Sequence, residues 1–119
     1  MEHSMPPVIA QYLSASDHKN IDVIVASFTD DAVVRDEDKE WQGHAGIRQW
    51  RSRVANAYQY TVELRGVVAI DGDDGLDRHD VYSHLEGNFP GGQVDLVNRF
   101  GLRDGRIASL EIVPAPPPA

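Results

Sequence analysis

The apolar residues in the first half of the chain recur three and four positions apart, which is the spacing of one helix face. A first helix begins at Pro6 and Pro7, because proline is tolerated in the first turn, where its missing N–H is not needed. Asp17 or Asn20 can cap a second helix, and a third follows Gly43. The residues at helical spacing that should face inward in the three predicted helices are Ile9, Tyr12, Leu13 and Ser16; Ile21, Ile24, Val25 and Phe28; and Ile47, Trp50, Val54 and Ala57.

The second half of the chain alternates apolar and polar residues, which indicates strands with one buried face. The alternation slips at Gly66, which predicts a bulge. Asp104 and Gly105 separate the last two segments, and an Asp-Gly pair in that position is a strong hairpin signal. Helices followed by a run of antiparallel strands predict an α+β fold. Five strands are predicted, at 32–36, 58–64, 76–85, 93–102 and 107–113.

The composition fits one globular domain. Of the 119 residues, 41% are hydrophobic and 25% are charged, which is ordinary for a folded chain. This length supports a single core. The domain is assigned to residues 6–113, with a disordered N terminus at 1–5 and a Pro-rich disordered tail at 114–119.

Charge and composition narrow the function classes. Eleven Lys and Arg oppose 19 Asp and Glu, which gives a formal net charge of −8, so no nucleic-acid partner is expected. No apolar run approaches the roughly 20 residues that span a bilayer, so no membrane partner is expected either. The absence of cysteine excludes cysteine nucleophiles and thiolate metal sites. A cytoplasmic location is expected.

The predicted sheet has a second face that three short helices cannot cover. Val81 and Val97 are assigned to that face from the alternation. Apolar surface of this kind is most simply covered by a second copy of the chain. We therefore expect a homodimer that forms through the outer face of the sheet.

One continuous segment resembles a known family. The run QYLSASDHKNIDVIVASFTDDAVVRD at 11–36, followed by Trp41–Gly43 and Gly46–Trp50, is similar to the NTF2-like superfamily, and within it to SnoaL-like polyketide cyclases and ketosteroid isomerases. The resemblance covers residues 8–113. It implies a cystatin-like cone, in which a curved antiparallel sheet packs on three N-terminal helices around a pocket. The activity stays open, because this fold carries isomerases, dehydratases, cyclases, epoxide hydrolases and non-catalytic binders.

The resemblance implies catalytic roles for two residues. In the isomerases, a tyrosine on the first helix precedes the catalytic aspartate by 24 positions, and Tyr12 and Asp36 have the same separation of 24. Asp36 is then a general base that removes a proton beside a carbonyl, and Tyr12 donates a hydrogen bond to the enolate oxygen. The competing interpretations are a solvated acidic turn for Asp36 and a core position for Tyr12.

The third isomerase position, where that family has a protonated aspartic acid, falls on Asn98 or on Val97. Alignment on Phe100 and Leu102 as inward-facing residues selects Asn98, whose amide donates at every pH. Alignment on the hairpin turn selects Val97, which has no donor.

Candidate ligand contacts come from aromatic residues, although a core position is the simpler interpretation for most of them. The predicted strand at 76–85 contains two histidines that point to opposite faces, and its phase favours His84, with Tyr82 on the same face, over His79 as the one that faces inward. No His-x-His or His-x-x-x-His spacing is present, so neither a metal nor another cofactor is expected. The candidate ligand-binding residues are Trp50, Trp41, Phe28, Tyr58 and Phe100.

Three functions are compatible with these residues. The first is a cofactor-independent isomerase or cyclase that acts on a small hydrophobic carbonyl compound, with Asp36 as the base, Tyr12 and Asn98 as donors, and His84 as an auxiliary acid. The second is a ligand-binding or dimerising module without turnover. The third is a dehydratase that uses His84 together with Asp36.

Overall fold

Three helices precede most of the strands in this chain. The computed structural model describes residues 5–57, 59–70 and 75–115, with the side chains of 54–57 excluded. The description leaves out residues 1–4, Tyr58, 71–74 and 116–119, so it does not cover the predictions made for these residues. In chain order the elements are α1 (Pro7–Asp17), α2 (Ile21–Ala26), β1 (Phe28–Asp36), β2 (Lys39–Gln42), α3 (Gly43–Ala57), β3 (Tyr60–Ile70), β4 (Asp77–Gly87), β5 (Gln93–Arg103) and β6 (Arg106–Pro114).

The six strands form one curved sheet in the order β2-β1-β6-β5-β4-β3. All neighbouring strands are antiparallel except β1 and β6, which are parallel. The predicted α+β architecture is confirmed. The four-residue strand β2 was not predicted, because only one of its side chains is even partly buried and the segment carries no alternation.

Local signals in the sequence explain where several elements begin and turn. The side chain of Asn20 caps α2 by accepting a hydrogen bond from the backbone N–H of Val23 at 3.3 Å. Asp104 and Gly105 adopt φ values of 53° and 78°, and positive φ at both central residues is what a tight hairpin of this kind requires. The register of β3 on β4 shifts between Leu64 and Gly66, which confirms the predicted bulge.

The core lies between the helices and one face of the sheet, which we call the helix-facing side. The helices pack mainly on β1, β2 and β6. Alternation along each strand then decides which residues are buried there. The buried hydrophobic residues of this core are Ile9, Tyr12, Ala15, Ile24, Val25, Phe28, Ala32, Val34, Ile47, Trp50, Val81, Phe100, Leu102, Ile107 and Leu110.

The opposite face, which we call the outer side, carries a row of alternating charges. Arg35 contacts Glu40 at 3.1 Å, and Arg99 contacts Glu111 at 3.4 Å. Strand register places the row across five strands as Glu40, Arg35, Glu111, Arg99 and Asp80.

The assignment of Val81 to the outer side was wrong, because Val81 pairs with Asn98 and is buried in the core. Val97 does lie on the outer side, where it pairs with Tyr82 and Val113. The homodimer through this side stays a prediction. None of the helices within the described ranges combines the length and apolarity needed to cross a bilayer.

Gly87 is required by a close approach of two chain segments. A Cβ atom at this position would meet the carbonyl oxygen of Gln59, and it would lie 2.6 Å from Tyr60 Cβ and 2.8 Å from Tyr60 Cα. Two of these three atoms belong to backbone, which cannot rotate away. Gly87 therefore allows the start of β3 to lie against the end of β4.

We predict that Gly87→Ala lowers the free energy of unfolding by about 1–3 kcal/mol, the usual range for overpacking. Gly66→Ala is the matched control, because a Cβ there has nothing within 4 Å, and its effect stays within about 0.5 kcal/mol. Urea unfolding followed by circular dichroism measures both variants. Equal stability of the two variants would contradict the close approach at Gly87.

Candidate functional site

Asp36 ends β1 with its carboxylate directed to the helix-facing side. It lies two residues beyond the buried Val34 on the same face, and its side chain is partly buried. Trp50 of α3, which is 2% exposed, donates a hydrogen bond from Nε1 to Asp36 Oδ2 at 3.0 Å. The exposed turn is formed by the next two residues, Glu37 and Asp38, which have φ values of 52° and 62°. Asp36 is thus held by the fold and is not part of the solvated turn.

Tyr12 lies inside the molecule, where α1 meets the sheet. Its ring packs edge-on against Phe28 and Phe100, with centroid separations of 5.8 and 5.6 Å. Burial raises the pKa of the Tyr12 phenol above its usual value, and the positive charge of Arg51 offsets part of that rise. The phenol therefore remains a neutral hydrogen-bond donor in neutral and mildly alkaline solution.

Arg51 is a buried cation in this region that the sequence analysis missed. It is 6% exposed, and its Cζ atom lies 5.1 Å from the centroid of the Trp50 ring. Its charge acts on Tyr12, Tyr60 and, more weakly, Asp36. A signal was present: Arg51 is four residues after Ile47, the i+4 position of the apolar stripe that contains Trp50.

Asn98 shares the helix-facing side with Asp36, and Val97 does not. One row of paired residues crosses the sheet from Asp36 through Ile112 and Asn98 to Val81. Two strand spacings separate Asp36 from Asn98, which is about 10 Å. The amide nitrogen of Asn98 donates to the backbone oxygen of Val81 and to Ser83 Oγ, both at 3.3 Å. These contacts fix the amide on the side of the sheet that carries the candidate base.

The prediction that His84 points inward was wrong. His84 pairs with Asp95 and Glu63 on the outer side, where its Nδ1 lies 2.6 Å from Asp95 Oδ1 and its Nε2 3.1 Å from Glu86 Oε2. Tyr82 lies on the outer side with it. The error has one cause: Val81 and Tyr82 are adjacent apolar residues, and a phase shifted by one residue reverses every side chain of a strand.

His79 is the histidine of β4 that faces inward. It pairs with Phe100, and it is buried with no hydrogen-bond partner on Nδ1. The carboxylate of Asp77 lies 3.7 Å from that nitrogen. Within the described ranges, no group of three His, Asp or Glu side chains is placed to hold a metal ion.

The remaining aromatic candidates have different environments. Phe28 and Phe100 are fully packed in the core against Tyr12, and Trp41 is half-buried on β2, where it pairs with Val34. A cavity of about 310 Å³ opens beside Asp36, lined by the β1–β2 turn and by Glu111 to Val113 of β6. Its lining is mostly charged, and three of the lining residues, Arg35, Glu40 and Glu111, belong to the outer side of the sheet.

These observations join a carboxylate, a phenol, a guanidinium and an amide on one side of a curved sheet. The profile of the SnoaL-like domain matches residues 9–110, which is most of the chain. The protein belongs to the SnoaL-like family. No curated protein matches the chain.

Solved structures support the same assignment. A protein of Sinorhizobium meliloti with the provisional name polyketide cyclase is 34% identical, with a TM-score of 0.83 over 92% of this chain and 95% of that one. SalBIII, described as an epoxide hydrolase/cyclase-like enzyme in pyran ring formation in salinomycin, is 24% identical, with a TM-score of 0.74 over 91% and 88%. A Catenulispora acidiphila protein with a ketosteroid isomerase-like fold is 16% identical, with a TM-score of 0.76 over 92% and 86%. At the identities of the last two, the likeness concerns the fold alone.

The His84 cluster predicts a pH-dependent part of the protein's stability. The hydrogen bond to Asp95 raises the pKa of His84 above its usual value, with a further contribution from Glu86. A raised pKa in the folded state means that this stabilisation is complete below the unfolded pKa of about 6.5 and is lost as the pH rises through the folded pKa. His84→Gln should therefore lose more stability at about pH 6 than at about pH 8.5, measured by urea unfolding. His18→Gln, a change at an exposed histidine outside the cluster, is the control, and an identical pH trend in both variants would contradict the prediction.

Proposed function

We propose that this SnoaL-like protein is a cofactor-independent isomerase or cyclase that acts on a small hydrophobic carbonyl compound. The observation that carries the proposal is the placement of Asp36: it ends a strand, faces the helices and accepts a hydrogen bond from the buried Trp50. A carboxylate in such a position is oriented to accept a proton from a bound molecule. The family assignment and the polyketide cyclase name of the 34% identical relative support the same class of chemistry.

The proposed reaction begins with proton abstraction. Asp36 takes a proton from the carbon next to the carbonyl, and the electron pair of the broken C–H bond moves to form an enolate. The carbonyl oxygen acquires negative charge, which fixed donors stabilise without reorganisation. Tyr12 and Asn98 are the donors proposed for this oxygen, and Asn98 would exchange one of its hydrogen bonds, to Val81 O or Ser83 Oγ, for the substrate. Asp36 returns the proton at another carbon or to an intermediate that has closed a ring.

The geometry bears on the two alternative functions, a dehydratase and a binding module without turnover. A dehydratase that pairs His84 with Asp36 is not supported, because His84 lies on the outer side of the sheet and Asp36 on the helix-facing side. A binding module without turnover uses the same residues but needs no base, so the effect of changing Asp36 distinguishes it from an enzyme.

We expect Asp36→Asn to slow deuterium incorporation beside the carbonyl of unsaturated cyclic ketones by about 10²–10⁴-fold, the usual contribution of a general base. NMR follows this exchange in D₂O, and the measurement can be made without knowing the natural substrate. Asp38→Asn is the matched control, because Asp38 is an exposed acid two residues away, and it should leave the rate unchanged. Equal rates in wild-type protein and Asp36→Asn would favour the binding module.

The pH dependence of this exchange tests the donors. Because burial raises the pKa of Tyr12 and an amide does not ionise, the rate should stay level from about pH 7 to pH 10. Asn98→Asp places a carboxyl group at that position. With the ordinary aspartate pKa of about 3.9 it is ionised and cannot donate across this range, so the variant should be slower than the wild-type protein at every pH within it. An additional ionisation between about pH 7 and 9 in the wild-type protein would contradict the role of Asn98.

A further inference from the structure

Arg51 is buried without a carboxylate partner. The residue is 6% exposed, its Nε has no hydrogen-bond partner, and it forms no ion pair with any acid in the described part of the chain. The guanidinium is charged at any pH that the protein survives. Burial of a cation is strongly unfavourable unless another charge or a set of donors and acceptors compensates it. A hydrogen bond to the side chain of Tyr60 and the electrostatic influence of Tyr12, Tyr60 and Asp36 offset this cost. The buried Nε nevertheless remains without a hydrogen-bond partner.

The neighbours of Arg51 are two phenols from different elements. Tyr12 comes from α1 and Tyr60 from the start of β3, and both act electrostatically on the guanidinium of α3. Tyr60 pairs across the strands with Gly87, where a side chain would meet Tyr60 itself, and its phenol hydrogen-bonds the guanidinium of Arg51. The carboxylate of Asp36 also acts on Arg51, more weakly than the two phenols.

An apolar surface open to solvent begins beside this cluster. Val62 and Leu64 follow Tyr60 on the same face of β3, the helix-facing side, and are 38% and 42% exposed. The helices pack over β1, β2 and β6 and leave these two side chains uncovered. A flat apolar molecule placed on Val62 and Leu64 would have one end at Tyr60 and Arg51.

We propose that Arg51 is the counter-charge for an oxyanion bound where this cluster meets the apolar surface of Val62 and Leu64. The site takes planar apolar molecules whose oxygen is ionised or becomes ionised, namely enolates and their aromatic equivalents, with the oxygen toward Arg51 and the phenols of Tyr12 and Tyr60. The proposal rests on the proposed function for its catalytic meaning, but the binding preference that it asserts does not depend on turnover.

The charge balance of the reaction explains why a fixed cation suits this position. Before proton transfer, the cluster holds Arg51 as a cation and Asp36 as a carboxylate. When the substrate's C–H proton moves to Asp36, the C–H electron pair forms a C=C bond and the carbonyl π pair moves to oxygen. The negative charge thus leaves Asp36 and appears on the substrate oxygen, while Arg51 remains positive. One cation and one anion are present at both stages, so no charge is left uncompensated.

The binding preference can be measured with 2-naphthol and its more acidic ring-substituted derivatives, which are stable oxyanion equivalents of an enolate. Absorbance and fluorescence distinguish the naphtholate from the neutral naphthol, so titration at several pH values gives the affinity for each form. We expect the naphtholate to bind at least about tenfold more tightly, which lowers the pKa of the bound naphthol by at least about one unit. Equal affinity for the two forms, or no binding of the naphtholate, would overturn the proposal.

Substitutions of Arg51 test whether the preference for naphtholate over neutral naphthol depends on this residue. Arg51→Met, which keeps the length of the side chain without its charge, should reduce the preference about tenfold, and Arg51→Lys should retain part of it. Arg53→Met is the matched control, because Arg53 is exposed on the same helix. Asp36→Asn should bind the naphtholate at least as well as the wild-type protein. A wild-type preference that survives in Arg51→Met would overturn the proposal, and the wild-type measurement decides the question even if that variant does not fold.

The two proposals fail separately. Deuterium exchange that depends on Asp36, combined with equal binding of naphthol and naphtholate, would leave the proposed function standing and remove the oxyanion role of Arg51. A naphtholate preference that depends on Arg51, combined with exchange unaffected by Asp36→Asn, would leave an oxyanion-binding site without an Asp36-dependent reaction.

Discussion

The hydrogen bond between Trp50 and Asp36 fixes the position of α3 against the end of β1. Because successive residues of a helix are about 100° apart, directing Trp50 at Asp36 also determines where Arg51 lies. The guanidinium then falls over the Trp50 ring and between α1 and β3. A single helix-to-sheet contact therefore sets the relative positions of a carboxylate and a buried cation, and the phenols from α1 and β3 complete the group.

Charged side chains lie in different surroundings on the two faces of the sheet, so they interact with different strength. On the outer side, Arg35, Glu40, Arg99 and Glu111 are paired in or near solvent, where such ion pairs contribute little to stability and mainly keep the surface soluble. On the helix-facing side, one buried arginine and one partly buried aspartate lie in a region of lower polarity, where each charge influences its neighbours more strongly. The packed core around Phe28, Phe100 and Leu110 supplies apolar burial that does not depend on this polar group.

The sequence was sufficient for the architecture because the fold depends on repeated patterns. Apolar residues at helical spacing predicted α1, α2 and α3, and Asp104–Gly105 predicted the last hairpin. The missed features carry no periodic signal of their own: β2 is exposed, and in β4 the adjacent Val81 and Tyr82 allow either phase. Only the pairing with β5 selects the phase that turns His79 inward and His84 outward. Arg51 was overlooked because a charge within an apolar stripe is normally solvent-exposed, and its burial depends on tertiary contacts with Tyr12 and Tyr60.

The overall charge of the chain bears on the type of molecule that the site can hold. A net charge of −8 repels anions at long range, so an anionic ligand gains nothing from the protein's field until it is close to Arg51. In the proposed reaction, a neutral ketone approaches without that repulsion and becomes negative only after its proton has moved to Asp36. The one deeply buried guanidinium in the described structure then acts at short range, where water and salt screen it least. Local positive charge inside an acidic protein thus favours an anion that forms within the site over one that arrives from solution.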